Sequence, residues 1–233
     1  MPDPVLIDTV EALAALCDRL RAEPVVTVDT EFMRERTYWP DLCLVQLAGA
    51  DEVAIVDALA DGMDLAPLGG LLADPGVVKV FHAARQDVEI FVRLFGDTPR
   101  PLFDTQVAAM VAGFGDQVGY DSLVSGLTGR SVDKAHRFSD WAARPLSDAQ
   151  LDYAAADVTH LRDVYALLRA RLSDEGRLDW VEEEMGALAE PGAYIVDPDT
   201  IWERLRPRSN NRRFLGIVRA MAAWREREAQ RIN

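Results

Sequence analysis

Cysteine is nearly missing: Cys17 and Cys43 are the only two in 233 residues. Two thiols cannot build a disulfide framework or a thiolate zinc site. Cys17 falls in a helical pattern and Cys43 in a strand pattern, and both read as small core residues. No stretch reaches the roughly 18 apolar residues of a membrane span. The opening MPDPVLIDT lacks the basic start and apolar core of a secretory signal, so a cytoplasmic protein is expected. Internal repeats and low-complexity tracts are absent too. Positive charge is scarce, with 25 Lys and Arg against 39 Asp and Glu, a net charge of −14. Bulk charge therefore argues against non-specific binding to nucleic acid.

What is present suits a folded body with an appendage: 49% hydrophobic and 27% charged residues, at a length fitting one medium domain and an addition. The charge is uneven. From Asp199 onward nine arginines face four acids, a local net of +5, which leaves −19 on the first 198 residues. An acidic body with an arginine-rich end can still meet a polyanion, and part of the acidity can be stored metal ligands.

The chain reads first as a helix over DTVEALAALCDRLRAE, with Asp8 as its cap, Glu11 as the capping-box partner, and Leu13, Leu16 and Leu20 on one face. VVTVDTEF, DLCLVQLAG and DEVAIVDAL read as three successive antiparallel strands. A short helix over 65–72, a buried strand VVKVFHA and a helix stopped by Gly96 follow. In that helix Val88, Phe91, Val92 and Phe95 face inward. PLFDTQVAAMVAGFG is a strand running into a helix, and a short helix is expected near Tyr120–Leu127. Ser147 and Gln150 form a capping box, with Leu146 and Leu151 as the staple, for a long helix to Gly176. A second helix spans about 178–189. From Thr200 the chain reads helical and basic, and Phe214, Ile217, Val218, Met221 and Trp224 form a stripe that needs a partner. Antiparallel strands followed by strand–helix–strand units indicate an α/β fold with a mixed sheet.

Asp29 and Glu31 end the first main strand at a spacing that puts both on one side. Like charges so close are costly unless something positive lies between them. Asp87 starts the helix after VVKVFHA, and Tyr153 and Asp157 are one turn apart on a single helix face. Four carboxylates from three distant segments can meet at one sheet edge. Magnesium and manganese prefer such oxygen ligands, and two ions about 3.5–4 Å apart form the usual clamp for phosphoryl displacement. Metal is then the missing positive charge.

VDTEFMRERTYWP, KVFHAARQDVEIF and LDYAAADVTHL, in this order, resemble the three motifs of ribonuclease D in the DEDD superfamily of 3′-5′ exonucleases. TGRSVDKAHRFSDWAARPLSDAQ adds to the resemblance, which covers roughly residues 5–180. With Tyr153 four before Asp157, the third motif resembles that of the tyrosine (DEDDy) branch. The resemblance implies a ribonuclease H-like α/β fold, with a mixed five- or six-stranded sheet flanked by helices and a helical C-terminal appendage. It implies a two-metal 3′-5′ exoribonuclease that acts on single-stranded RNA 3′ ends, transfer RNA precursors among them, and releases 5′-mononucleotides. Asp29, Glu31 and Asp157 would hold one Mg2+ or Mn2+, and Asp29 with Asp87, directly or through water, the other. Tyr153 would orient the attacking water, since a phenol with a pKa near 10 is a poor base at neutral pH.

The expected divisions are an exonuclease domain over 1–178, a helical linker over 179–205, and over 206–233 the incomplete start of an HRDC-like helical module. The rest of that module is not in the sequence, which fits a truncated chain and leaves structured-RNA selectivity open. A monomer without a membrane or an obligate protein partner is expected. Phe32 and Met33 are candidates for a wedge against the terminal base. His82 is a candidate for touching substrate, or else a packed histidine. Lys134, His136 and Arg137 are candidates for phosphate contacts, or else solvated charge. Gln46 can face the cleft. Asp104 reads as a cap. Two rival readings keep the same site: a DNA exonuclease, separable only by contacts to the 2′-hydroxyl, and a silent nucleic-acid-binding protein.

Overall fold

The computed structural model describes residues 3–133 and 135–233. Six strands form one mixed sheet in the order β1-β4-β3-β2-β5-β6. Its centre is the expected meander: β2 (Val25–Met33), β3 (Asp41–Ala48) and β4 (Val53–Asp57) are antiparallel neighbours. β5 (Val78–Phe81) adds parallel to β2 and β6 (Leu102–Asp104) parallel to β5. A sixth strand, β1 (Val5–Ile7), pairs parallel to β4 at the far edge. Its three residues are too few to carry a periodicity in the sequence.

Helices cover both faces. α1 (Val10–Leu20), α2 (Ala66–Leu72) and α3 (Arg85–Phe95) bury Leu13, Leu16, Leu20, Leu68, Val88 and Phe91 against one side. α1 is capped by Thr9, whose hydroxyl accepts from the Ala12 amide, and not by Asp8 as the spacing suggested. The capping oxygen is one residue later, and Glu11 falls in the first turn rather than at the box position. Gly96 ends α3 at φ +79°, a left-handed conformation that suits glycine.

α4 (Thr105–Val111) and α5 (Tyr120–Thr128) lead to the long helix α6 (Asp148–Asp174). The Ser147/Gln150 capping box is present, and Leu146 and Leu151 both pack on the cluster beneath α6. The first half of α6 lies over β2, β3 and β4. There Ala154, Ala155 and Val158 pack with Leu44, Ala48, Val53, Ile55 and Trp141. Its small residues let the helix sit close: the Thr27 hydroxyl on β2 donates to the Val158 carbonyl at 2.8 Å.

α7 (Leu178–Leu188) adds Val181 and Met185 to the main core, and Tyr194 just beyond it joins them. A 3-10 turn (Ile201–Arg204) precedes α8 (Arg212–Ile232). α8 turns Ala222, Ala223 and Glu226 inward and leaves Phe214, Ile217, Met221 and Trp224 exposed. Glu226 accepts from the Tyr38 hydroxyl, and the Trp39 amide donates to Asn233 at 2.7 Å. No helix among the described residues is long and apolar enough to cross a membrane.

Candidate active site

β2 alternates between the two faces of the sheet, so Thr27, Asp29 and Glu31 share the α6 side and Thr30 faces the other way. Asp157, one turn beyond Tyr153 on α6, meets the two strand carboxylates. One oxygen from each of Asp29, Glu31 and Asp157 lies within 4.8 Å of the others. Asp87 comes from the opposite face, in the first turn of α3. It is buried, and its Oδ1 accepts from the Thr30 hydroxyl. The strand therefore presents carboxylates to α6 and a hydroxyl to α3, which places Asp87 beside the trio rather than inside it.

The electrostatics follow from burial and like charge. Burial, with Asp29, Asp157 and Asp87 nearby, pushes Glu31 up to about 9. Asp157 is pushed up to about 8 by burial and Asp29, against a hydrogen bond from Tyr153. Asp29 rises to about 6 through burial, against a hydrogen bond from the Thr30 amide. Asp87 is held well above the carboxylate range by burial and by Asp29. The Tyr153 phenol is pushed above its ordinary range by burial and by Asp157. The donor set is all oxygen, crowded and repulsive when ionised. That fits a hard divalent cation, whose charge relieves the repulsion.

Of these groups Asp29, Asp157 and Tyr153 border a cavity of about 300 Å3, which Tyr120, His82 and Arg137 also line. His82 thus does reach the cavity; its Nδ1 lies 3.0 Å from the Thr105 hydroxyl, and burial lowers its pKa. The His136 ring packs edge-on to Tyr153 with centroids 6.2 Å apart, and its Nδ1 lies 3.2 Å from Ser139 Oγ. Lys134 falls outside the described residues. Phe32 and Met33 are not among the residues that line this cavity. Met33 packs on the core under α6 and borders a separate hollow with Pro40 and Leu42.

Gln46 stands opposite Asp29 in register but is fully buried rather than open to the cleft. Asp104 is the expected cap, accepting from the Gln106 and Val107 amides of α4 and also from those of Ala83 and Ala84. Sequence reading missed Thr30 and Tyr120. Strand alternation marks Thr30 as facing the side opposite to Asp29. Tyr120, 37 residues from Asp157, carries no local signal.

The chain matches the 3′-5′ exonuclease family over residues 4–173. It is 70% identical over 232 residues to ribonuclease D of Gluconacetobacter diazotrophicus, covering all of this chain and 59% of that one. The crystal structure of Escherichia coli RNase D, an exoribonuclease involved in structured RNA processing, superposes with a TM-score of 0.90 at 36% identity. It covers 99% of this chain and 61% of that one. Brucella melitensis NrnC with bound Mg2+ superposes with a TM-score of 0.68 at 27% identity, covering 89% of this chain and 97% of that one. The chain thus spans about three-fifths of the ribonuclease D sequence it matches.

Proposed function

The chain belongs to the 3′-5′ exonuclease family, and on that premise we propose that it removes nucleotides one at a time from single-stranded RNA 3′ ends. The observation that carries this reading is the meeting of Asp29, Glu31 and Asp157 oxygens within 4.8 Å beside an open cavity. RNA as substrate, with transfer RNA precursors as the natural case, is favoured by the 70% identity to a ribonuclease D. The cofactor is two divalent ions, Mg2+ or Mn2+, and the setting a monomer in the cytoplasm. Residues 206–233 open an HRDC-like module beside the exonuclease domain.

Asp29, Glu31 and Asp157 would hold one ion, and Asp29 with Asp87 the second. Bound cations neutralise the phosphate and lower the pKa of attacking water. Tyr153 stays protonated at neutral pH because burial and Asp157 raise its pKa. Its hydroxyl donates to Asp157, and its oxygen can accept from the attacking water and aim it at phosphorus. The water would lose a proton to solvent and add to phosphorus, the bond to the 3′ oxygen of the penultimate nucleotide would break, and that oxygen would leave with a proton taken from solvent. Arg137, on the cavity wall, would meet a backbone phosphate, as would His136 and Lys134. His82 would border the terminal nucleotide. Phe32 and Met33 would reach the terminal base only by moving from where they pack.

The test uses 5′-labelled single-stranded RNA with a free 3′ hydroxyl, in magnesium, manganese or excess EDTA. A shortening ladder lost both in EDTA and in Asp29→Asn is expected. Intact RNA in both metals would overturn the reading, and faster loss of a matched DNA would move the substrate to DNA.

A further inference from the structure

Tyr120 opens α5 just after its cap, Gly119, and its side chain crosses to α6. The phenol donates to the main-chain carbonyl of Asp157, and the main-chain amide of Leu161 faces its oxygen. Those two groups are the ends of one helical rung, carbonyl i and amide i+4. A side-chain group placed at a rung is one of the few things that adjusts a helix locally. This rung belongs to the very residue whose carboxylate joins Asp29 and Glu31.

The ring is braced from the other side. Its centroid lies 5.3 Å from that of His82. His82 Nδ1 is 3.0 Å from the Thr105 hydroxyl, which itself donates to the Phe81 carbonyl at the end of β5 at 3.0 Å. A continuous set of contacts thus runs from the sheet edge, through His82 and Tyr120, to the backbone of Asp157. Packing alone would need only the ring. The hydroxyl is what grips the rung.

We propose that Tyr120 is a positioning residue: by holding the Asp157–Leu161 rung it sets the Asp157 carboxylate at the distance from Asp29 and Glu31 that a divalent cation requires. This rests on the metal-site reading above. Supporting partners of metal ligands characteristically change metal affinity or activity by about 10–100-fold when removed. Phenylalanine would keep the ring against His82 and leave the carbonyl and amide to bond each other, so the helix would survive while the carboxylate is held less exactly.

The experiment compares wild type with Tyr120→Phe in the full chain: Mn2+ titration of metal-free protein by calorimetry, thermal melting, and kcat and KM on single-stranded RNA. Tyr120→Phe is expected to melt within a few degrees of wild type yet bind Mn2+ about tenfold more weakly. Its kcat should fall at low Mn2+ and recover at high Mn2+, with KM for RNA unchanged. Equal Mn2+ affinity in the two proteins would overturn the proposal and leave Tyr120 a packing residue. A wild type that takes up no Mn2+ would overturn it together with the metal-site reading, so the two failures are told apart by the wild-type titration. Should Tyr120→Phe melt early, Tyr120→Leu decides. A positioning role predicts that Mn2+ affinity recovers in neither variant at temperatures well below its melting point, and recovery in either would count against it.

Discussion

At the residue scale the site is a set of acids held against their preference. Asp29 illustrates the conflict, since it lies against Glu31 and Asp157 and raises the pKa of both. Asp29→Asn removes one repelling charge without changing shape. Metal-free Asp29→Asn should therefore melt higher than metal-free wild type at pH 8, by roughly 1 kcal/mol or a few degrees, while losing metal-dependent activity. Scanning calorimetry beside the RNA assay checks both, and a lower melting point would show that Asp29 is stabilised by something other than metal. Tyr153→Phe should leave Mn2+ binding in place and lower kcat by about 100-fold, in the range of positioned proton and water contacts. Thr30 shows how strand alternation serves two faces. Its hydroxyl is a donor to buried Asp87, so Thr30→Val should weaken activity by about tenfold with a smaller loss of stability, read from kcat and a melting curve.

At the element scale the question is what keeps α6 over the sheet. Its N-terminus is prepared by the capping box, and the loop before it is tied down by Arg144. That guanidinium makes a paired contact to Asp57 at the end of β4, at 2.6 and 2.7 Å, and bonds the Trp141 and Cys43 carbonyls. Burial works against the Asp57 carboxylate, but the Arg144 bonds hold its pKa below the ordinary value. Trp141 in turn packs on Tyr153, ring centroids 5.9 Å apart. Arg144→Met would leave buried Asp57 unpaired, at a cost of about 3 kcal/mol, and loosen the packing behind Tyr153. A fall in denaturation midpoint together with a fall in kcat is expected; a fall in neither would separate this loop from the site. The C-terminal helix behaves differently from its pattern. Phe214, Ile217, Met221 and Trp224 of the apolar stripe face solvent, and the narrow face of Ala222 and Ala223 docks instead, because small residues permit the close approach that lets Tyr38 reach Glu226.

At the scale of the whole molecule the acids control stability through pH. The site carboxyls bind protons more tightly folded than unfolded, since Asp29, Asp157 and Glu31 rise from ordinary values near 4 to about 6, 8 and 9. Their contribution is complete below the unfolded values and is lost as pH climbs through the folded ones. Metal-free protein should lose melting temperature steadily from pH 5 to pH 9, and saturating Mg2+ should flatten that fall. Equal slopes with and without Mg2+ would deny the ions a place among these groups. The net charge of −14 sets a further expectation at this scale. On the proposed function an RNA backbone would meet an acidic body, so affinity should depend on divalent cation more than on arginine contacts.

The sequence by itself determined the acids, their order, the strand that alternates them, the long helix that places Tyr153 and Asp157 one turn apart, and the antiparallel centre of the sheet. Each of these is a matter of neighbours along the chain, where a period of two or of 3.6 decides direction. Tertiary structure alone decided that Asp87 approaches from the far face against Thr30, that His82 reaches the cavity while Phe32 and Met33 do not line it, that Tyr120 takes hold of Asp157, and that α8 docks by its alanines. Lys79 belongs here too: it sits fully buried in a strand that reads as apolar, its ammonium donating to the Asp74 and Arg100 carbonyls. These contacts join residues from 5 to 188 positions apart. Sheet order and helix packing bring such partners together, and no periodicity along the chain records them.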